Sequence, residues 1–406
     1  MKKSFLLTLL LIFTIILCGC NNGSADNTEP QEPVVVSPFA YPDYTFDGTP
    51  TTDELRATAV RAMCDILSIQ WSPAETISYF NTAGRDKQFD YKPGNIYGGV
   101  LYSGAGSGLF QYLEYYNPQT GLLSYPGTGD ELRKNIGSGC ADSLLWSWGT
   151  VANSFSSGYY PSVMVQKNGY LPVGDYTYNK DITSYYLIST KDIIANNGEA
   201  VMLDAYSKML PADALISSSA DHSMMVVLPP TVKYDGEGVI DTEASYVIIQ
   251  DQRGGRTSTT FYEEKESGQT IYYNSQRAMK MTFATLLEKN YIPLTLAEFT
   301  GAKAYEKAEV TTQGKACKEL KDLQNVMVAS NYPIALINII AVDKSGNETE
   351  VKKILFHGAN GEGPAKSYNL SQIEELHTLE TKNYKSLKVE VVVSTGERFI
   401  PIEIKL

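Results

Sequence analysis

The first twenty residues constrain this chain more than any other segment, because they decide which part of it folds and in which compartment. Met1-Lys2-Lys3 is basic, and the apolar run from Phe5 to Leu17 that follows carries no charge. A basic start, a short apolar segment and small residues before a cleavage point are typical of a signal peptide. The run is shorter than the ~20 residues that a membrane-crossing helix needs. The sequence therefore predicts export, with an uncleaved anchor as the alternative.

The segment ends in Leu17-Cys18-Gly19-Cys20, which resembles the lipobox of bacterial lipoproteins. The resemblance implies a signal peptide over residues 1–19, a lipid on Cys20, and an extracytoplasmic protein held at a bacterial membrane by that lipid. It leaves inner and outer membranes as alternatives. Residues 20–42 contain few core-forming side chains and predict a flexible tether.

Charge and cysteine content narrow the function classes. The formal net charge is −12, and an acidic protein releases no counterions from nucleic acid on binding. No nucleic-acid partner is therefore expected. Cys64, Cys140 and Cys317 remain after the lipobox, an odd number that leaves at least one free thiol unless two chains pair. The absence of a CxxC pair and the presence of only three histidines argue against zinc, and no metal or cofactor is predicted.

The rest of the chain predicts an α+β protein with two domains. Thr51 to Leu67 has helical spacing, and Ser72-Pro73-Ala74-Glu75 predicts a second short helix to Phe80. From about Thr300 the pattern changes to strands linked by hairpin turns. The predicted strands are 224–228, 246–249, 333–342, 350–356, 387–393 and 399–404. We expect a domain over 43–300 and a small Ig-like β-sandwich over 301–406.

Cys140 is the strongest candidate for a chemically active residue. It follows Gly137-Ser138-Gly139 and precedes a segment with helical spacing, so it is expected at a helix N-terminus. A helix N-terminus and a nearby histidine favour the thiolate, which is the nucleophilic form. The alternative is an inert core cysteine, because cysteine is among the most buried residue types.

His222 is the candidate base, because it alone of the three histidines lies in the same predicted domain as Cys140. His357 and His377 fall in the C-terminal part. If the strands at 224–228 and 246–249 form a hairpin with its tip near residues 236–237, facing residues sum to about 473. His222 then faces Asp251, with Gln250 and Gln252 as alternates. A polar group there would hold the imidazole by one nitrogen and leave the other toward the thiol.

These residues resemble the NlpC/P60 peptidases. The block from Gly139 to Leu144 is similar to that family's Asp-Cys-Ser-Gly-Phe block. The segments 210–215 and 221–226 are similar to its Pro-Gly-Asp-Leu and Gly-His-Val signature. The similarity covers roughly residues 95–255. The third triad residue departs from the family, which prefers His, Asn or Gln where this chain carries Asp251.

The resemblance implies a papain-like cysteine peptidase or amidase that hydrolyses amide bonds in the stem or bridge peptides of peptidoglycan. It implies Cys140, His222 and Asp251 as the catalytic triad. It also implies substrate contacts from Tyr102, Asp142 and Ser143. Transfer instead of hydrolysis remains an alternative, and the oligomeric state is open. A second hypothesis is a non-catalytic surface lipoprotein that binds cell-wall or glycan ligands, since the chain has 28 tyrosines.

Overall fold

The computed structural model describes residues 39–80, 88–125, 135–153, 170–179, 189–253, 262–266, 268–314, 316–356 and 365–406. The predictions for the signal peptide, Cys20, the tether up to residue 38 and His357 therefore lie outside the described residues. The helices are α1 (Thr52–Ser68), α2 (Leu109–Leu113), α3 (Cys140–Trp148), α4 (Thr190–Asn197), α5 (Glu199–Ser207), α6 (Phe283–Glu288), α7 (Ala297–Thr300) and α8 (Glu375–Thr378).

Twenty strands accompany these helices in the described part of the chain. The first ten are β1 (Gln70–Pro73), β2 (Ile77–Phe80), β3 (Gln88–Tyr91), β4 (Ile96–Gly98), β5 (Tyr116–Asn117), β6 (Leu122–Leu123), β7 (Tyr170–Pro172), β8 (Ala214–Ser217), β9 (His222–Thr231) and β10 (Tyr246–Gln252). The others are β11 (Tyr262–Glu266), β12 (Gln269–Tyr273), β13 (Ser275–Thr282), β14 (Ile292–Leu296), β15 (Val310–Gly314), β16 (Val326–Asp343), β17 (Glu348–Leu355), β18 (Ala365–Asn369), β19 (Tyr384–Val393) and β20 (Arg398–Lys405). The protein is thus of the mixed α+β class.

Helix α1 begins where the sequence provides both halves of a capping box. The Thr51 hydroxyl accepts the Glu54 N–H, and the Glu54 carboxylate accepts the Thr51 N–H at 2.7 Å. Both bonds satisfy backbone donors that have no acceptor inside the helix. The apolar stripe of α1 is buried, as at Leu55, Ala59 and Met63. The predicted helix from residue 51 is confirmed.

The second predicted helix is wrong. Residues 72–80 contribute to strand β1 and to strand β2 instead. The alternation of Ile77, Ser78 and Tyr79 fits the two-residue period of a strand, and β2 pairs with β3 in an antiparallel ribbon. A Pro-Ala-Glu start is therefore a weak helix signal when β-branched and aromatic residues follow it.

The sheet that carries the candidate site has the order β13-β10-β9-β8-β14-β7. Strands β9 and β10 form the predicted hairpin, and its tip is a tight turn over residues 235–238 closed by the Tyr234–Ile240 bridge. The register differs from the prediction, because Gln250 pairs with Met225 and two irregularities lie between this pair and the tip. Bulges insert residues that a count from the turn does not include.

Two hydrophobic cores divide the described chain near residue 300. Except for Ala335, the first core contains buried residues between Tyr44 and Phe299. The second lies between Ala308 and Ile404. The predicted C-terminal strands are confirmed, and β15 and β18 join them in one sheet in which the long strand β16 pairs with four partners.

Direct hydrogen bonds join the parts of the chain that carry the two cores. The Ser394 hydroxyl donates to the carbonyl of Gly149, which ends α3, at 2.5 Å. Gln111 on α2 donates to the Phe356 carbonyl at 2.7 Å. All described residues belong to one compact unit. Within that described part, no helix is long and apolar enough to cross a membrane.

Candidate active site

Cys140 is the first residue of α3, as predicted. Gly139 precedes the helix in an extended conformation, and its N–H donates to the Asp142 carboxylate at 3.0 Å. The N–H groups of Cys140, Ala141 and Asp142 have no acceptor inside the helix, since they belong to its first turn. Their partial positive charge lies beside the Cys140 sulfur and favours a thiolate or a developing oxyanion there.

The approach to Cys140 depends on a close backbone contact at Gly137. Its φ of +106° is one that a side chain disfavours. A Cβ at this position would lie 2.5 Å from both the Leu101 carbonyl oxygen and the Ser103 hydroxyl. Ser138 donates its N–H to the same Leu101 carbonyl. The glycine therefore lets the segment before α3 pack against residues 101–103.

The two tryptophans of α3 fix the helix at both sides. Trp146 donates its indole N–H to the Gly106 carbonyl at 2.9 Å, and Trp148 donates to the Ala212 carbonyl at 2.8 Å. Ala212 in turn donates its N–H to the Val226 carbonyl on β9. One loop residue thus ties the helix of Cys140 to the strand of His222.

A buried ion pair holds that loop in place. The Arg56 guanidinium on α1 contacts the Asp213 carboxylate at 2.7 Å, the Pro211 carbonyl at 2.7 Å and the Thr295 hydroxyl at 3.1 Å. Both charged side chains are almost fully buried, with 7% and 2% of their surface exposed. Asp213 therefore has a structural role in holding this loop against α1.

His222 is the first residue of β9 and closes a tight turn from β8 by pairing with Ser217. Asp221 before it has a φ of +50°, which Asp tolerates better than most residues. The imidazole Nε2 hydrogen-bonds to Asp251 Oδ2 at 2.7 Å, and Cys140 lies within electrostatic reach of the ring and acts on its pKa. The structure therefore brings the three residues predicted as a triad together.

The electrostatic setting of His222 favours its protonated form. Burial acts to lower the pKa of the imidazole, but the hydrogen bonds to Asp251 and Cys140, with their negative charges, raise it from 6.5 to about 9. Each of these partners stabilises the imidazolium more than the neutral ring. At neutral pH, His222 is thus prepared to donate a proton to a leaving group.

The alternates for the third position do not face the histidine. Gln250 donates its amide to the Val60 carbonyl at 3.1 Å, and Gln252 donates to the Val100 carbonyl at 2.7 Å. Asp251 is the one of the three that contacts His222. If the register of Gln250 and Met225 continues, Asp251 faces Met224 and lies diagonally across from His222.

The three predicted substrate contacts are placed differently from one another. Tyr102 forms a backbone bridge with Ser138, two residues before the cysteine, and is partly exposed. Asp142 caps the N-terminus of α3. The Ser143 side chain is fully buried and donates to the Ser138 hydroxyl at 2.8 Å. A substrate contact from Ser143 does not fit this burial.

The carboxyl of Asp142 is a second group close to Cys140 whose pKa is shifted. Burial of its carboxyl raises the pKa of Asp142 from 3.8 to about 7, although the hydrogen bond from the Gly139 N–H acts in the opposite direction. The residue lies two positions after the cysteine in the first turn of α3. A neutral carboxyl there avoids repulsion of a thiolate.

Two further residues of the site were not predicted. Arg253 donates its Nε to Asp251 Oδ2 at 2.5 Å, on the same oxygen that binds His222. Tyr291 lies in the turn before β14, and burial raises its pKa. Arg253 acts to lower it, while Asp251 and Cys140 act to raise it, so the phenol lies within electrostatic reach of all three. The sequence could have indicated Arg253, because it comes two residues after Asp251. No sequence pattern indicated Tyr291.

The other cysteines lie away from this arrangement. Cys64 and Cys317 are free thiols like Cys140, and no disulfide joins them. Burial raises the pKa of each. In the described part of the chain, no group of three or more His, Cys, Asp or Glu side chains is arranged to hold a metal ion.

The chain was compared with protein-family models, with curated proteins and with solved structures, and none of them matches it. The arrangement of Cys140, His222 and Asp251 therefore stands on its geometry.

Proposed function

We propose that this protein is a surface-anchored cysteine peptidase or amidase that hydrolyses amide bonds in peptidoglycan stem or bridge peptides. The observation that supports it most is that Cys140, at the start of a helix, lies within electrostatic reach of His222, whose Nε2 hydrogen-bonds to Asp251. A nucleophile, a base and a group that orients the base are the parts that acyl transfer through a thiol requires.

The chemistry follows from the positions of these groups. The Cys140 thiolate attacks the amide carbonyl carbon, and the oxyanion that forms lies near the N–H groups of the first turn of α3. The His222 imidazolium then gives its proton to the amine as the C–N bond breaks, leaving a thioester on Cys140. Water next gives a proton to His222 and attacks the thioester, which releases a carboxylic acid and restores the thiolate.

Asp251 orients this exchange. It holds His222 by Nε2, so Nδ1 is the nitrogen left for the thiol and the leaving amine. Two tyrosines lie near the reacting residues: Tyr102 bridges to Ser138, and Tyr291 lies within electrostatic reach of Asp251 and Cys140. Tyr102 is the more exposed of the two and is our candidate for a substrate contact.

The same proposal includes the finer fold and the location. A cysteine-bearing helix packed beside antiparallel strands that carry His222 and Asp251 supports a papain-like domain over residues 43–300. The C-terminal sheet and its own core support an Ig-like accessory domain over residues 301–406. We place the protein outside the cytoplasm with a lipid on Cys20. A Cys20→Ser variant is expected to move from the membrane fraction to the soluble fraction.

A muropeptide digest tests the activity. The full-length chain in detergent is incubated with soluble peptidoglycan fragments, and products are identified by mass spectrometry. New free amines are expected with the wild type and with a Cys64→Ala control, and not with Cys140→Ala. If the wild type leaves a broad panel of muropeptides intact and Cys140 resists alkylation, the hydrolase proposal fails. The alternative of a protein that binds wall or glycan ligands would then replace it.

A further inference from the structure

The carboxylate of Asp251 is bonded by two cationic side chains on a single oxygen. Oδ2 accepts Arg253 Nε at 2.5 Å and binds His222 Nε2 at 2.7 Å. The Asp251 side chain is fully buried, whereas one third of the Arg253 side chain is exposed. Among the residues that the structure describes, Oδ1 has no hydrogen-bond partner. The charge of the carboxylate is therefore compensated through one oxygen by two neighbours.

The position of Arg253 follows from strand geometry. It comes two residues after Asp251, the spacing that places side chains on one face of a strand. Continuing the Gln250–Met225 register puts Arg253 directly across from His222. Its backbone N–H is held by the Asn274 carbonyl at 2.9 Å, which fixes where the side chain starts. The guanidinium is thus positioned by the same hairpin that positions the histidine.

A buried carboxylate next to a thiolate needs such a neighbour. An ionised group without water is strongly disfavoured unless it is paired. A negative charge near Cys140 would also hold the proton on its sulfur. With a thiolate, an imidazolium, a carboxylate and a guanidinium, the group formed by Cys140, His222, Asp251 and Arg253 has no net charge. Without the guanidinium, the same group carries one negative charge.

The other groups around Asp251 do not supply this compensation. Gln276, which is uncharged, pairs with it from β13, and the α1 group that bonds to the neighbouring Gln250 is the uncharged Val60 carbonyl. Tyr291 is a buried phenol with a raised pKa and stays neutral. On α3, Asp142 contributes a carboxyl whose ionisation would only add negative charge. Among these neighbours, Arg253 is the one besides His222 that brings a positive charge.

We propose that Arg253 is a positioning residue that neutralises Asp251, so that the Cys140–His222 pair works beside an electrically neutral Asp–Arg unit. The inference rests on the proposed function, since it assigns a role to these residues in thiol chemistry. It also explains how an aspartate can occupy the third position of the proposed triad. A neutral or amide side chain in that position would need no counter-charge. The paired Asp and Arg then present the imidazole with an acceptor and the thiolate with no net repulsion.

The test measures the alkylation of Cys140 by iodoacetamide as a function of pH in the full-length chain, with the modified peptide quantified by mass spectrometry. Arg253→Gln is expected to move the pH midpoint of alkylation upward by about one unit, which is about tenfold slower alkylation on the acid side. Arg253→Lys keeps the charge and is expected to stay close to the wild type. The double variant Asp251→Asn with Arg253→Gln restores zero net charge and is expected to return toward the wild-type midpoint.

That return distinguishes the electrostatic role from a purely structural one, because a second substitution in a structural contact would leave the loss or increase it. An unchanged midpoint in Arg253→Gln overturns the inference. So does a double variant that fails to fold or that shifts as far as Arg253→Gln alone. Alkylation needs no substrate, so these results are independent of the muropeptide digest. A wild type that cleaves muropeptides while the midpoints stay unchanged refutes the role of Arg253 and leaves the hydrolase proposal intact.

Discussion

Replacing Asp251 by Asn should change the pH at which His222 loses its proton. The substitution keeps the size of the side chain and removes the charge that the imidazole Nε2 faces at 2.7 Å. The pKa of His222 is raised from 6.5 to about 9 by Asp251 and Cys140 together, against the effect of burial. One pH unit corresponds to about 1.4 kcal/mol, so the two partners outweigh burial by roughly 3 kcal/mol in favour of the imidazolium.

The Asp251 hydrogen bond is the largest of the effects that raise this pKa, so Asn should remove a large part of the rise. We expect the pKa of His222 to fall in the variant. In our mechanism the imidazolium protonates the leaving amine, so the rate falls as pH rises through this pKa. The basic limb of the pH–rate profile should therefore move from about 9 to lower pH, by roughly one unit or more.

The same substitution also changes the free energy of unfolding, and the direction depends on pH. A pKa raised in the folded state gives stability that is fully present below pH 6.5 and is lost as pH rises through about 9. Asp251→Asn should therefore lower the free energy of unfolding at pH 6 by roughly 2 kcal/mol, with a smaller difference above pH 9.

The assays are the pH–rate profile of amine release from muropeptides and urea unfolding at pH 6 and pH 10. Asp235→Asn is the matched control. It makes the same chemical change at the exposed tip of the same hairpin, where its Oδ1 accepts N–H groups that an amide oxygen also accepts. Its profile should equal that of the wild type. A basic limb that stays near pH 9 in Asp251→Asn would refute the reasoning about His222.

Three other results are expected. At pH 7, iodoacetamide should label Cys140 before Cys64, whose pKa is raised by burial, and peptide mapping measures both in one sample. Arg56→Met should lower the free energy of unfolding by about 3 kcal/mol, because it leaves a buried carboxylate unpaired, whereas Lys208→Met in an exposed pair should give no measurable change in urea unfolding. Asp142→Asn should stabilise the fold at pH 8 by up to roughly 4 kcal/mol and not at pH 4, because the raised pKa of Asp142 means that stability is lost as pH rises through about 7. Equal unfolding curves at both pH values would contradict the last expectation.

Local signals predicted the parts of the fold that they control. The capping box at Thr51 and Glu54 marks the start of α1, and the glycines before Cys140 mark the start of α3. The hairpin of β9 and β10 follows from two alternating segments around one turn. Each of these elements depends on residues close together in the chain, so a reading of short windows finds them.

Long-range contacts account for what the sequence did not predict. The pair of Arg56 and Asp213 joins residues 157 positions apart, and no local pattern indicates it. Tyr291 reaches the site from the turn before β14, a strand that is not a neighbour of β10 in the sheet. The order of the strands decides both contacts, and that order depends on packing of the whole core.

Asp251 contacts His222 although the register from which that contact was argued is wrong. Counting from the turn put Asp251 across from His222, while the bulged ladder puts it across from Met224 by continuation. The error was an even number of residues, so the side chain stayed on the same face of the strand. A diagonal neighbour is still within reach of an imidazole, as the 2.7 Å contact demonstrates. Continued past Gln250, the same displaced register places Arg253 across from His222, and its guanidinium supplies a positive charge to the buried aspartate.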